Sequence, residues 1–221
     1  MINSTLPPTL AEPGILFMDM DSTLIQCECI DEIADLLGIK SKIAAITQRA
    51  MEGKLDFSAS LIERVALLKG LDAALLEQVY VERIQLTDGA ENLINTVKKH
   101  GWKVGLVSGG FTYFTDKLQT RLGLDFVQAN VLGIENNQLT GKVIGSIVDA
   151  QSKKEALIAQ AARWHIPMSQ TVALGDGAND LPMLTIANMG IAFHAKPAVQ
   201  AEAKYVINSG PLDQTLALLR K

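Results

Sequence analysis

Gly14-Ile15-Leu16-Phe17-Met18 is a short apolar run that ends abruptly in Asp19. An apolar stretch without polar alternation suits a strand covered on both faces, as in the middle of a parallel sheet. Chemistry can then begin at the C-terminal end of that strand. Beyond the run, Asp19-Met20-Asp21-Ser22-Thr23 places two carboxylates two positions apart, on the same side of extended backbone. One can attack an electrophile while the other moves a proton. Taken alone, the pair also fits a turn that caps the next helix.

Outward from this strand the periodicity changes twice. From 30 to 83, the stretches DEIADLLGI, KSKIAAITQRAMEG, FSASLIERVALLKGL and DAALLEQVYVERI place apolar residues three and four apart, which predicts helices. An α/β alternation follows: a helix over 90–99, a strand over 103–107, a helix over 111–122 and a strand over 126–129. The segment around Asn136-Asn137 predicts a peripheral antiparallel hairpin. A helix over 153–164, a strand over 171–174, a short helix over 181–187, a small strand over 190–193 and a C-terminal helix from Asp213 complete the chain. The expected fold is α/β: a doubly wound, mostly parallel, Rossmann-like sheet with a helical cap inserted after the first strand. Residues 1–29 and 86–221 would form the core and 30–85 the cap. An insertion at the strands' C-terminal edge lies where open α/β sheets bind ligands, so it can act as a lid.

Composition narrows the function. The 221 residues are 48% hydrophobic and 20% charged, as in a globular protein with a substantial core. A formal net charge of -4 without a basic run gives no reason to expect a nucleic-acid partner. The start MINSTLPPTLAEPG lacks the basic and apolar regions of a secretory signal, and no run reaches ~18 apolar residues. No membrane association and a cytoplasmic location are expected. Cys27 and Cys29, one residue apart, are poorly placed for a disulfide and too few for structural zinc. His100, His165 and His194 lie outside the motifs, which leaves catalysis to carboxylates.

Two more apolar runs end in residues that bind anions or cations. Val104 to Val107 leads into Ser108-Gly109-Gly110, a hydroxyl and two glycines that let backbone N–H groups approach an anion. Val172-Ala173-Leu174 leads into Gly175-Asp176-Gly177-Ala178-Asn179-Asp180, an all-oxygen set that suits octahedral Mg²⁺. Lys153 would open a helix, an unfavourable place for a cation unless an anion lies nearby. Each feature also occurs in ordinary turns or, for Lys153, on solvated surfaces.

Together, DMDST at 19–23, SGG at 108–110, Lys153 and GDGAND at 175–180 resemble the four ordered motifs of the haloacid dehalogenase superfamily, and within it the phosphoserine phosphatases. The resemblance runs from about residue 15 to 220. It implies that Asp19 is a nucleophile forming an aspartyl-phosphate and that Asp21 is the general acid and base. Mg²⁺ would be bound by the Asp19 carboxylate, the Asp21 backbone carbonyl and Asp176. Ser108, Gly109, Gly110, Lys153 and Asn179 would hold the phosphoryl group, and Asp180 would support the metal and Lys153. Glu28, just before the cap, and Arg64 within it match positions that pair with the ammonium and carboxylate of phosphoserine, while Phe57 is either part of the site or plain cap core. The implied activity is hydrolysis of a small phosphomonoester, phosphoserine first, in serine biosynthesis, by a monomer or homodimer. A relative acting on phosphohomoserine or transferring phosphate to an alcohol, and a noncatalytic binding protein, are the competing readings. With fourteen residues before Ile15, no additional amino-terminal regulatory domain is expected in this chain.

Overall fold

Ile15–Met18 forms strand β1, with no residue exposed. The computed structural model describes residues 6–220. Along β1 the side chains alternate, Ile15 and Phe17 packing into one apolar cluster and Leu16 and Met18 into another. Four helices follow: α1 (Cys29–Leu36), α2 (Lys40–Met51), α3 (Phe57–Ala66) and α4 (Ala74–Arg83). The winding then continues through α5 (Ala90–Lys99), β2 (Lys103–Phe111), α6 (Thr112–Leu122), β3 (Phe126–Glu135) and β4 (Gln138–Ile144). It closes with α7 (Ala150–Arg163), β5 (Thr171–Gly175), α8 (Leu181–Ile186), β6 (Met189–Phe193), α9 (Pro197–Glu202), β7 (Tyr205–Ile207) and α10 (Thr215–Leu218).

The strands form one sheet in the order β4-β3-β2-β1-β5-β6-β7. Only the β3–β4 pair is antiparallel. Helices α5 and α6 bury Leu93, Val97 and Phe114 against the Leu16 face, while α7 and α8 bury Leu157, Met183 and Leu184 against the Phe17 face. The sheet is therefore doubly wound. Because β2 and β5 flank β1 on opposite sides, the chain reverses its winding there and opens a crevice at the C-terminal end of β1.

Helices α1–α4 enter and leave the core through two adjacent crossings. Gln26 N–H donates to the Gln85 carbonyl at 3.0 Å, and Thr87 N–H to the Leu24 carbonyl at 2.9 Å. Ile33, Leu61, Val65, Leu76 and Val79 join the Leu16 cluster, so α1, α3 and α4 are anchored by apolar burial. Helix α2 buries only Ile43.

Several boundaries differ from the sequence expectation. Strand β2 continues to Phe111 and carries the Ser-Gly-Gly motif within it. Helix α7 begins at Ala150, where Asp149 caps the Ser152 N–H at 2.8 Å, so Lys153 sits one turn inside the helix. The C-terminal helix shrinks to the four residues of α10, and the short elements α9 and β7 had no strong local signal. The hairpin turns at Asn136 and Asn137, with φ of 50° and 61°. The hairpin lies at the edge of the sheet, yet residues 70–73 pair with the outer side of β4 around Leu139, which is only 2% exposed.

Candidate active site

Three strand ends and one helix converge in the crevice. Asp19 still belongs to the sheet through its N–H, which donates to the Leu174 carbonyl at 3.0 Å. Its carboxylate accepts from Met20 N–H at 2.7 Å and lies 2.8 Å from Lys153 Nζ. The backbone then coils sharply, with Ser22 at φ 55° and Ile25 N–H donating to the Met20 carbonyl at 3.0 Å. This turn brings Asp21 back over β2. Its Oδ1 accepts from Cys29 N–H at 3.1 Å, and its Oδ2 is 2.8 Å from where a Cβ on Gly110 would stand. Gly110 N–H in turn donates to Ser108 Oγ at 2.8 Å. A side chain at position 110 would push the Asp21 turn away from β2.

Lys153 is fully buried, with Nζ 2.7 Å from Asp180 Oδ1 and 2.8 Å from Asp19 Oδ1. The surface reading of this lysine is thereby removed. Asp180 is equally buried, and its second oxygen accepts from Gly177 N–H at 3.0 Å. Gly175 makes room for it, since a Cβ there would stand 2.3 Å from Asp180 Cγ. Carboxylate oxygens of Asp19, Asp176 and Asp180 all fall within 4.8 Å of one another.

Electrostatically, four carboxylates share one buried ammonium. Burial, with help from the Asp180 charge, pushes the Asp19 carboxyl upward against the pull of Lys153. Burial and Glu28 push Asp21 up to about 7, and burial and Asp180 push Asp176 up to about 6. An all-oxygen donor set with this surplus of negative charge fits a hard divalent cation. Both Asp180 oxygens already accept hydrogen bonds, which leaves Asp19 and Asp176 the freer of the three.

Helices α2 and α3 roof the crevice and enclose a cavity of about 730 Å³, within the usual range for small-molecule sites. Phe57 closes one side: its Cζ lies 2.7 Å from where a Cβ on Gly109 would be. Glu28 and Arg64 both line the cavity. Glu28 accepts from Ser22 Oγ at 2.7 Å, which ties it to the turn that carries Asp21. Arg64 is half-buried, donates only to the Ser60 carbonyl of its own helix at 3.3 Å and forms no ion pair among the described residues. Burial lowers its affinity for its proton, opposed by the charges of Glu28 and Asp31.

A haloacid dehalogenase-like hydrolase model matches residues 14–188. Phosphoserine phosphatase from Idiomarina loihiensis is 50% identical over 208 residues, covering 94% of either chain. That from Haemophilus influenzae is 49% identical over 212 residues, 96% of this chain and 67% of the longer relative. The chain belongs to the haloacid dehalogenase-like hydrolases, in the phosphoserine phosphatase family. A solved structure of a substrate-bound phosphoserine phosphatase complex agrees with a TM-score of 0.88 at 40% identity, covering 95% of this chain and 99% of that one.

In this haloacid dehalogenase-like chain, all the residues singled out from sequence, Asn179 and Phe57 included, lie in or directly beneath the crevice. None of the three histidines lines it. Sequence reading missed Lys196, which follows β6, lines the cavity mouth and donates its backbone N–H to the Asp176 carbonyl at 3.4 Å. The signal was available, because the predicted strand over 190–193 also ends at the C-terminal edge of the sheet.

Proposed function

We propose that the chain hydrolyses O-phosphoserine to serine and phosphate with Mg²⁺ beside Asp19, and that residues 30–85 act as the cap that reads the amino-acid end. The observation that carries this reading is one cavity with Asp19 on its floor, Lys153 and Asp180 buried directly beneath, and Arg64, a half-buried cation without a carboxylate partner among the described residues, on its roof. A zwitterionic phosphomonoester answers both demands. Its phosphoryl group would lie against Ser108, the Gly109 and Gly110 backbone, Lys153 and Asn179. Its carboxylate would take the Arg64 fork and its ammonium would face Glu28.

The Asp19 carboxylate attacks phosphorus as the seryl oxygen leaves, and Asp21 gives that oxygen its proton. Asp21 then takes a proton from the water that attacks the aspartyl-phosphate, which releases phosphate and restores Asp19. A carboxyl pushed up to about 7 supports both duties near neutral pH. When bound by the Asp19 carboxylate, the Asp21 backbone carbonyl and Asp176, Mg²⁺ would withdraw charge from the phosphoryl oxygens. Lys153 holds Asp19 in line and adds a second positive charge, while Asp180 fixes Lys153.

A cytoplasmic place in serine biosynthesis suits this activity, and no helix among the described residues is long and apolar enough to cross a membrane. The test is phosphate release from phosphoserine, phosphohomoserine, phosphoethanolamine, phospholactate and sugar phosphates, with and without Mg²⁺, and with serine or homoserine added as acceptor. Phosphoserine should lead and chelator should abolish release. Preference for phosphohomoserine or a sugar phosphate, or full activity in chelator, would overturn the reading.

A further inference from the structure

We propose that the β3–β4 hairpin is a clasp that sets the position of Arg64, with Asn137 and Asp72 as positioning residues for substrate selectivity; the inference rests on Arg64 reading the substrate carboxylate. The clasp is a second sheet-like junction, remote in sequence from both crossings of the helical segment. Gly70 N–H donates to the Leu139 carbonyl at 2.8 Å, Leu139 N–H to the Leu71 carbonyl at 2.7 Å, and Ala73 N–H to the Asn137 carbonyl at 2.8 Å. One Asp72 oxygen accepts from both Ala74 N–H at 2.9 Å and Asn137 Nδ2 at 2.7 Å, which joins the first turn of α4 to the hairpin tip.

Packing reinforces these bonds. Gly141, at φ +75°, lets β4 lie flat on the end of α3, since a Cβ there would stand 2.8 Å from Lys69 Cβ and 3.2 Å from the Ala66 carbonyl. Leu139 is buried in the main apolar cluster. Arg64 sits one turn before this gripped end, and its carbonyl accepts from Leu67 N–H at 3.3 Å. A rigid helix transmits a fixed end to a residue one turn away, so the hairpin holds the guanidinium at its height over Asp19. On the other flank, α4 is tied to α6 through Glu77, whose Oε2 is 2.6 Å from both Tyr113 Oη and Lys117 Nζ. Helix α2 is tied to α3 by the Arg49–Glu63 ion pair at 2.7 Å and has no hydrogen bond to the hairpin among the described residues, so α3 is the helix that the clasp grips.

Two variants release the clasp without touching the cavity. Ala73 has φ -62°, the proline value, and Asp72 before it pairs with Gln138 in extended backbone, so Ala73→Pro fits locally. It removes the N–H given to Asn137 and pushes its ring against that carbonyl. Asn137→Gly keeps the left-handed turn and removes the bond to Asp72. The ratio of kcat/KM for phosphoserine over phosphoethanolamine should fall about tenfold in Ala73→Pro and about threefold in Asn137→Gly, the range expected for lost hydrogen bonds. Phosphoethanolamine hydrolysis should hold steady, and in an Arg64→Ala background neither variant should change the ratio. A purely structural role would lower both substrates together, which would overturn the proposal, as would a clasp effect that persists without Arg64. Amide exchange supplies an arm independent of substrate: Ala73→Pro should quicken exchange over Phe57–Ala66 and not over Ala90–Lys99. Unchanged exchange in α3 overturns the clasp outright. A wild-type enzyme indifferent to the carboxylate instead overturns the role of Arg64, while the exchange result still decides whether the hairpin holds α3.

Discussion

Lys153 and Arg64 are both cations directed at the same crevice, yet one is fully buried between carboxylates at 2.7 and 2.8 Å and the other is half-buried and, among the described residues, bonded only to its own helix. The floor of the site is largely paired within the chain: Lys153 lies between Asp19 and Asp180, and the surplus of carboxylates is of the kind that a divalent cation neutralises. The roof has charges that wait for a partner from outside. Desolvation explains the division, because a buried charge must be paired as the protein folds, whereas a partly hydrated one can be paired by a ligand. Changes in the floor should therefore cost turnover with any substrate, and changes in the roof should cost selectivity.

The largest effect is expected from Asp19→Asn, which should leave the circular-dichroism spectrum unchanged and lower phosphate release by at least about 10⁴-fold, since an amide oxygen is a poor nucleophile. Appreciable turnover would remove Asp19 from its proposed role. Asp21→Asn should lower kcat by roughly 10²- to 10⁴-fold with KM less affected, because proton transfer alone is lost. Equal damage to kcat and to substrate affinity would instead mark Asp21 as a support for the turn that it shares with Cys29 N–H.

Arg64→Ala tests the roof. Leaving a substrate carboxylate without its partner costs about 2–5 kcal/mol for a buried pair, or about 30- to 3,000-fold in kcat/KM, with half-burial favouring the lower end. Phosphoserine hydrolysis should suffer this loss while phosphoethanolamine, which has no carboxylate, stays nearly unchanged. A common factor for both substrates would place Arg64 among the structural residues of α3.

The same division governs how much could be read from sequence. The floor was legible because three apolar strands end in carboxylates, glycines or a hydroxyl, a strictly local signal at 19–23, 108–110 and 175–180. The four helices of the roof followed from their 3.6-residue period. What could not be read is contact between distant segments. The grip of residues 137–139 on 70–73 has no local signature, so the sequence pattern places the hairpin at the edge of the sheet without showing what it holds. The helix carrying Lys153 starts four residues earlier, at its cap Asp149, than the local pattern suggests, and the full burial of Lys153 depends on Asp180, 27 positions away.

Gly109→Ala probes the seam between floor and roof, where an added methyl would meet the Phe57 ring at 2.7 Å. The ring must tilt and lift α3, and overpacking of this kind costs about 1–3 kcal/mol, which corresponds to at most roughly 5- to 150-fold in kcat/KM. Adding Phe57→Ala should restore part of the loss by removing the obstruction. If the single variant is silent, Phe57 does not close the site.

The smallest effect is a shift of a few degrees in melting temperature, and its sign follows from the raised carboxyls. Asp21, pushed up to about 7, and Asp176, pushed up to about 6, remain protonated in the folded protein above pH 4, where the unfolded chain has already released those protons. The folded state then binds more protons than the unfolded one, so these groups lower stability as pH rises from about 4 to about 7, after which their contribution levels off. Mg²⁺ binds the deprotonated carboxylates and so competes with those protons. Added Mg²⁺ should therefore raise the melting temperature more at about pH 7.5 than at about pH 5, with roughly 2–4 °C for each kcal/mol in a chain of this size. Asp21→Asn supplies the control, since a neutral side chain at that position should flatten part of the decline in stability without metal. A Mg²⁺ increment of equal size at both pH values would mean that the cation does not bind among these carboxylates, and the crowding of negative charge on the floor would then need another partner.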